Sequence, residues 1–309
     1  MARLLCASLL LASTSAVVAE SLGQDARDTS SSNGPLIVFL GTGTPRPDPD
    51  RQGPSLAIVA GGKAYIVDAG VGLVRQARAA YDRGIRALAP EQLDIAFLTH
   101  LHSDHTLGLP DLILTPWVMR RTASVELYGP VGTKAMVDNL EEAYAEDIQI
   151  RIHGLEQANT TGYKVLVHEI QPGLVYQDSN VKVTAFPVLH GSWKQAFGYR
   201  FDAAGKSIVI SGDTRPAASV VEACNGCDVL IHEVYSGIEG QSPQSAYFSS
   251  FHTSAVELGQ IAAKARPKVL AIWHYVPLAN SDQTQVISEV RASFNGPIVV
   301  ARDLDVIAP

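Results

Sequence analysis

The stretch Thr99-His100-Leu101-His102-Ser103-Asp104-His105 constrains this chain more than any other. Three histidines and one aspartate fall within six residues, directly after the apolar run Ile95-Ala96-Phe97-Leu98. Imidazole nitrogen and carboxylate oxygen are the ligands zinc accepts where thiolates are absent. A buried strand that ends in such a cluster delivers several of them to one point at a sheet edge. Imidazoles packed this densely would repel one another on protonation and would fill no packing role. A merely solvated loop is therefore a poor account of them.

The same pattern recurs downstream. His190 follows the apolar run Phe186-Pro187-Val188-Leu189, and Asp213 follows Val209-Ile210-Ser211-Gly212. His232-Glu233 follows Val229-Leu230-Ile231, and His274 follows Ala271-Ile272-Trp273. One polar residue at a strand end is ordinary, but strand ends on one sheet edge converge, so their repetition points to a shared site. His153 and His168 lie inside an irregular region with no such context and read as structural.

Elsewhere the periodicities predict the elements. Residues 36–40 read as a strand running into Gly41-Thr42-Gly43-Thr44-Pro45, and 55–59 with 64–67 as a hairpin about Gly61-Gly62. Residues 71–81 read as a helix with Val71, Val74, Ala77 and Arg78 in three-four spacing. Residues 132–145 read as an amphipathic helix presenting Met136, Leu140, Ala143 and Tyr144. The span 148–188 reads as mostly β, and 236–251 as a polar, aromatic loop. Helices are expected at 216–224, from Ser254 with the capping box Ser254-x-x-Glu257, and at 282–294. Strands at 94–99, 125–128, 197–201, 207–210, 229–232, 269–273 and 298–300 interleave with them. This order suggests two sheets packed face to face with helices outside, an α/β (α+β) class.

Residues 1–19 read as a secretory leader, with Arg3, an apolar run from Leu4 to Ala12, and small residues at Val17-Val18-Ala19 before a cut. Residues 20–34 read as a disordered linker and 35–309 as one folded domain. Cys6 leaves with the leader. Cys224 and Cys227 are too few for a four-thiolate zinc site and read as a structural pair at a helix end, compatible with a disulfide in an oxidising compartment. The net charge of −7, with Arg120-Arg121 as the densest basic spot, argues against a polyanion as the main partner.

The array His100-x-His102-x-Asp104-His105, then His190, Ser211-Gly212-Asp213-Thr214 and His274, resembles the metallo-β-lactamase superfamily over essentially the whole mature chain. Phe39-Leu40-Gly41-Thr42-Gly43 and Val67-Asp68-Ala69-Gly70 match it as well. Ser211-Gly212-Asp213-Thr214-Arg215-Pro216, Leu230-Ile231-His232-Glu233 and His252-Thr253-Ser254-Ala255 resemble the narrower branch that holds RNase Z and exported arylsulfatase-like enzymes.

The resemblance implies a four-layer αββα sandwich with two Zn2+ at one sheet edge, where Mn2+ or Fe could substitute. Under it His100, His102 and His190 hold the first metal, Asp104, His105 and His274 the second, and Asp213 bridges them. The metals would lower the pKa of a shared water toward about 7, making hydroxide the implied nucleophile. His252 is the implied proton donor to the leaving oxygen and Glu233 its orienting partner; Asp104 is counted with them as catalytic. Asp68 would support the ligands. Gly41-Thr42-Gly43-Thr44 lacks the P-loop lysine and reads as a tight turn beneath the site.

Fold does not choose the substrate. The expected function is an exported, arylsulfatase-like dinuclear zinc hydrolase of sulfate or phosphate esters, periplasmic or secreted. The alternatives are an RNase Z-like phosphodiesterase that processes tRNA 3′ ends, a lactonase, or a non-catalytic zinc-binding module. The span 141–188 carries Glu141, Glu142, Glu146 and Asp147 and no basic arm. A small anionic ester is therefore the expected partner, nucleic acid is not expected, no membrane span is expected, and a homodimer is compatible. Trp193, Tyr235, Tyr247, Phe248 and Phe251 lie near the candidate ligands, as an aromatic wall for substrate or as packing for the loop.

Overall fold

A computed structural model of the chain describes residues 34–236, 243–278 and 281–309. The expected leader and residues 20–33 of the expected linker lie outside the described residues. β1 (Leu36–Gly41), β2 (Ser55–Ala60) and β3 (Lys63–Val67) form an antiparallel meander. Gly61 and Gly62 both have positive φ (57 and 79), as a two-residue hairpin turn requires when it must match the strand twist. The chain then turns to parallel pairing along β4 (Ile95–Phe97), β5 (Val125–Gly129) and β6 (Val165–Glu169).

The second half repeats this plan. β7 (Gly173–Gln177), β8 (Lys182–Pro187), β9 (Phe197–Ala203) and β10 (Lys206–Ile210) are antiparallel; β11 (Val229–Ser236), β12 (Val269–Pro277) and β13 (Ile298–Val300) continue in parallel. β14 (Val306–Ile307) crosses back to pair with β1. Two seven-stranded sheets result.

Alternation of side chains divides the core into three layers. Ile37, Phe39, Tyr65 and Phe97 of the first sheet meet Val183, Tyr199, Phe201 and Ile231 of the second between the sheets. Val38, Leu40 and Ile66 point the other way, onto α1 (Leu73–Asp82), α3 (Leu109–Val118) and α4 (Thr133–Ala143). Val209, Leu230 and Ile272 likewise face α6 (Ala218–Cys224), α8 (Ala255–Ala265) and α9 (Gln283–Arg291). Strands buried on both faces are apolar at every position, and so they read as unbroken apolar runs. The expected four-layer αββα sandwich is what forms.

Several expectations are corrected. The buried stripe of α1 is Leu73, Val74, Ala77 and Ala80; Val71 precedes the helix and is 51% exposed, and Arg78 faces solvent. Within 148–188, expected to be mostly β, α5 (Ala145–His153) occupies the start and the strands begin only at β6. Ile148, Ile150 and Ile152 alternate like a strand, yet Glu146 and Asp147 at the first turn and Arg151 and His153 at the last suit the helix dipole, and Asp147 pairs with Arg151. Residues 243–251, expected as loop, form α7 (Pro243–Phe251), and α2 (Ser103–Thr106) holds part of the histidine cluster itself. Cys224 and Cys227 form a disulfide at the end of α6. The capping box at Ser254 is present, with its hydroxyl accepting from Glu257 N. Among the described residues no helix is long and apolar enough to cross a membrane.

Candidate active site

The strand ends of both sheets converge at one edge of the sandwich. His100 and His102 follow β4, His190 follows β8, Asp213 follows β10, Glu233 lies in β11 and His274 in β12. All seven residues expected as metal ligands are brought together here. His102 Nδ1 lies 3.0 Å from both His100 Nε2 and His190 Nε2. Asp104 Oδ2 lies 3.4 Å from His105 Nε2 and 3.2 Å from His274 Nε2. Asp213 Oδ2 is 3.5 Å from each of those two nitrogens. His100 and Asp213 also gather with His105, so Asp213 stands between the two sets.

These groups are almost wholly buried; His102 alone of the seven is half-exposed. Their surroundings set their protonation. Burial, reinforced by neighbouring histidines, holds His100 well below the ordinary imidazole range and brings His102 to about 4. Burial also lowers His190. Asp213 is held well below the usual carboxylate range: burial opposes its charge, but His274 and His105 outweigh that penalty. His105 moves the other way, since Asp213 and Asp68 overcome its burial and raise it well above normal. Neutral imidazoles beside ionised carboxylates are the donor set a divalent cation takes, and a bound cation would replace the extra proton on His105.

A second layer of bonds aims the donors. Asp68 Oδ1 accepts from Thr99 N at 2.8 Å, and Asp68 Oδ2 pairs with His105 Nδ1 at 2.8 Å, leaving His105 Nε2 to face the site. Thr99 Oγ1 contacts both Asp68 Oδ2, at 2.9 Å, and His100 Nδ1, at 3.0 Å. His190 Nδ1 donates to Phe251 O at 2.8 Å. Asp68 and His274 both hold left-handed backbone (φ 59 and 48), a strained geometry that concentrates at sites where the side chain must be placed. Gly212 (φ 61) could carry no side chain, because a Cβ would lie 2.8 Å from Phe197 O. Gly41 is required for close approach: a Cβ there would lie 1.9 Å from Gly53 O, and Gly43 N donates to Gln52 O, so residues 41–44 pack against 52–53 and do not form the expected tight turn.

His252 and Glu233, both buried, sit beside Asp213 in the cluster. His252 Nδ1 is 3.3 Å from Glu233 Oε2 and 3.9 Å from Asp213 Oδ2. Glu233 Oε1 accepts from Thr214 N at 3.2 Å and Thr253 N at 3.0 Å, which frees the other oxygen for His252. Burial lowers His252, but Glu233 and then Asp213 override it and lift the imidazole to about 9.

The sequence did not reveal the parts played by Thr99, Thr214 and Thr253, which bond through short side chains and backbone; their only signal is adjacency to the charged residues. Trp193, read only as an aromatic near the ligands, sends its Nε1 to within 2.8 Å of His102 Nε2. His153 and His168 lie apart from the site; His168 pairs with Glu126 on the face of β5 and β6. Arg121 is no surface cation: it is buried, and its guanidinium donates to Leu93, Leu112, Ile113 and Gly162 carbonyls.

The sequence pattern of the Beta-lactamase superfamily domain matches residues 63–275. Ribonuclease Z of Mycobacterium bovis (strain BCG / Pasteur 1173P2) is 35% identical over 276 residues, covering 87% of this chain and 96% of that protein. Ribonuclease Z of Mycobacterium marinum (strain ATCC BAA-535 / M) is 35% identical over 275 residues, with the same coverage of 87% and 96%. Among solved structures, the metallo-beta-lactamase fold protein YhfI from Bacillus subtilis superposes with a TM-score of 0.67 at 18% identity, over 89% of this chain and all 100% of that one. Human tRNase Z, short form, gives a TM-score of 0.63 at 23% identity, over 88% of this chain and 98% of that one.

Proposed function

Because the chain belongs to the metallo-β-lactamase superfamily, on its ribonuclease Z branch, we propose that it is a dizinc phosphodiesterase whose general acid is His252. The observation that carries this reading is the pair His252–Glu233, poised beside Asp213 in a chain similar to ribonuclease Z along nearly its whole length. The sulfate-ester reading drew on resemblance to exported arylsulfatase-like enzymes, and the ribonuclease Z relatives give it no support. The phosphodiester alternative takes its place.

The residues fit a pair of divalent ions. His105 Nε2 and Asp213 Oδ1 are buried and make no hydrogen bond among the described residues, a cost the fold would not carry for packing. His100, His102 and His190 would hold one ion and Asp104, His105 and His274 the other, with Asp213 shared between them. When bound, such ions supply Lewis acidity toward the phosphoryl oxygens and activate a water at neutral pH. The protein supplies the rest. Asp68 and Thr99 fix the tautomer and direction of His105 and His100. Glu233 Oε2, 3.3 Å from His252 Nδ1, would keep a proton on that nitrogen, so that Nε2 could deliver the other proton to the departing oxygen. Thr214 and Thr253 pin Glu233 in turn.

The substrate is proposed to be a nucleotide diester reached through few phosphate contacts. The net charge of −7, and the burial of Arg121, leave little basic surface for gripping a folded RNA. Export is part of the proposal; the leader-like residues 1–19 and the Cys224–Cys227 disulfide support it. Initial rates of the zinc-loaded chain on bis-p-nitrophenyl phosphate and p-nitrophenyl sulfate, side by side, test the reading. The diester should be strongly preferred, with activity lost on chelation. A preference for the sulfate would overturn it.

A further inference from the structure

A cavity of about 620 Å3 opens beside the first histidine set. Leu101, Pro130 and Val131 give it an apolar lining, and Trp193, Lys194 and Gln195 complete it. Leu101 lies between His100 and His102 in sequence, and Trp193 touches His102, with ring centroids 5.0 Å apart. The cavity therefore begins where the candidate ligands end. Its two walls are tied together, since Val131 N donates to Gln195 Oε1 at 2.9 Å. Val131 nevertheless leaves 61% of its surface exposed, and Trp193 is half-buried, whereas Trp117 and Trp273 are both 1% exposed. A valine and an indole left open next to a reactive centre do no work for the core.

We propose that this cavity is the subsite for a nucleobase, so that the substrate is a nucleoside phosphodiester whose base stacks on Trp193. The inference rests on the phosphodiesterase reading above. A flat heterocycle matches the indole face, as every base offers a π-surface for stacking. The apolar residues opposite would cover the base and sugar, and the Gln195 amide would meet a polar base edge. The Lys194 ammonium, exposed at the rim, suits the phosphate on which the base depends. The volume exceeds what a single phenyl ring needs.

The test uses two esters with the same leaving group: thymidine 5′-monophosphate p-nitrophenyl ester and methyl p-nitrophenyl phosphate. They differ only in the nucleoside. The thymidine ester should show kcat/KM at least about tenfold higher, the scale of one stacked base. Trp193→Ala should collapse that ratio to within about twofold of unity, and Trp193→Phe, which keeps a stacking face, should retain most of it. A ratio taken within one variant is unaffected by lost metal or partial unfolding. In parallel, thymidine 5′-monophosphate should quench tryptophan fluorescence of the wild type and leave Trp193→Ala unchanged. A wild-type ratio near one, or a ratio indifferent to Trp193→Ala, overturns the subsite while leaving the phosphodiesterase reading intact. Hydrolysis of neither ester overturns that reading instead, and the absence of quenching would then dispose of the subsite as well.

Discussion

The molecule buries ionisable groups around Arg121 and at the strand ends, and the two places are built on opposite principles. Arg121 is 1% exposed, and burial brings its pKa down to about 10 against the pull of Asp94. Its Nε and both terminal nitrogens nevertheless reach the carbonyls of Leu93, Leu112, Ile113 and Gly162, at 2.6 to 3.2 Å. The cation is saturated by neutral acceptors and staples α3 to the loops at 93 and 162. At the strand ends, by contrast, six imidazoles and three carboxylates crowd together, and His105 Nε2 and Asp213 Oδ1 are left without a hydrogen bond among the described residues. A saturated buried cluster holds the chain together. An unsaturated one whose donors face a common point is made for something the chain does not itself contain.

The contrast is broken most severely by removing a donor. Asp104→Ala should abolish hydrolysis and lower the zinc bound per chain, measured by elemental analysis after dialysis. Asp68→Ala should cost roughly 10- to 100-fold in metal affinity, because it only aims His105. Equal and small effects of the two would mean that the cluster is not a metal site. His252→Ala comes next: zinc content should stay at the wild-type level while turnover falls roughly 100- to 10,000-fold, most for esters with poor leaving groups. A loss that ignores leaving-group pKa would remove His252 from proton transfer.

Arg121→Met should do the reverse of these. Several buried carbonyls would lose their donors, lowering unfolding free energy by about 3 kcal/mol or more in a denaturant titration. Zinc content and turnover per folded molecule should hold. A variant as stable as wild type would show that the carbonyls find other partners and that the staple is dispensable.

How legible each cluster is follows from its chemistry. The metal-type site announces itself because its residues are rare types repeated at the ends of apolar runs: His100, His102, Asp104 and His105 after β4, then His190, Asp213 and His274. The central strands, such as β1, β2 and β11, announce themselves because both faces are buried, whereas the exposed β6 and β7 do not. Arg121 stays hidden, since its partners are backbone carbonyls that leave no mark on the sequence, and next to Arg120 it mimics a basic patch. The threonines around Glu233 and Asp68 act largely through main-chain N–H groups and are silent for the same reason. α5 reads as β because its three isoleucines at alternate positions imitate a strand, although only Ile148 is buried. α7 reads as loop because it buries no side chain of its own and so shows no apolar stripe.

The smallest effect expected is the most discriminating. His252 is lifted to about 9 against its burial, chiefly by Glu233. A group with a raised pKa keeps its proton below that value and loses it above. The acid needed at the leaving oxygen is thus present at neutral pH, and the rate should fall as pH rises through about 9. Glu233→Gln keeps an oxygen to accept from Thr214 N and Thr253 N, so the local backbone is preserved. It removes the charge that raises His252, and its amide can turn a donor toward Nδ1, which favours the neutral ring. Both changes act in one direction. The alkaline limb of the kcat profile should move to lower pH, with zinc content and the acid limb held. A limb that stays in place would show that Glu233 only braces the loop after α7. His252 would then lie beside a carboxylate without drawing its proton from it, and the two clusters would be nearer in kind than their bonds suggest.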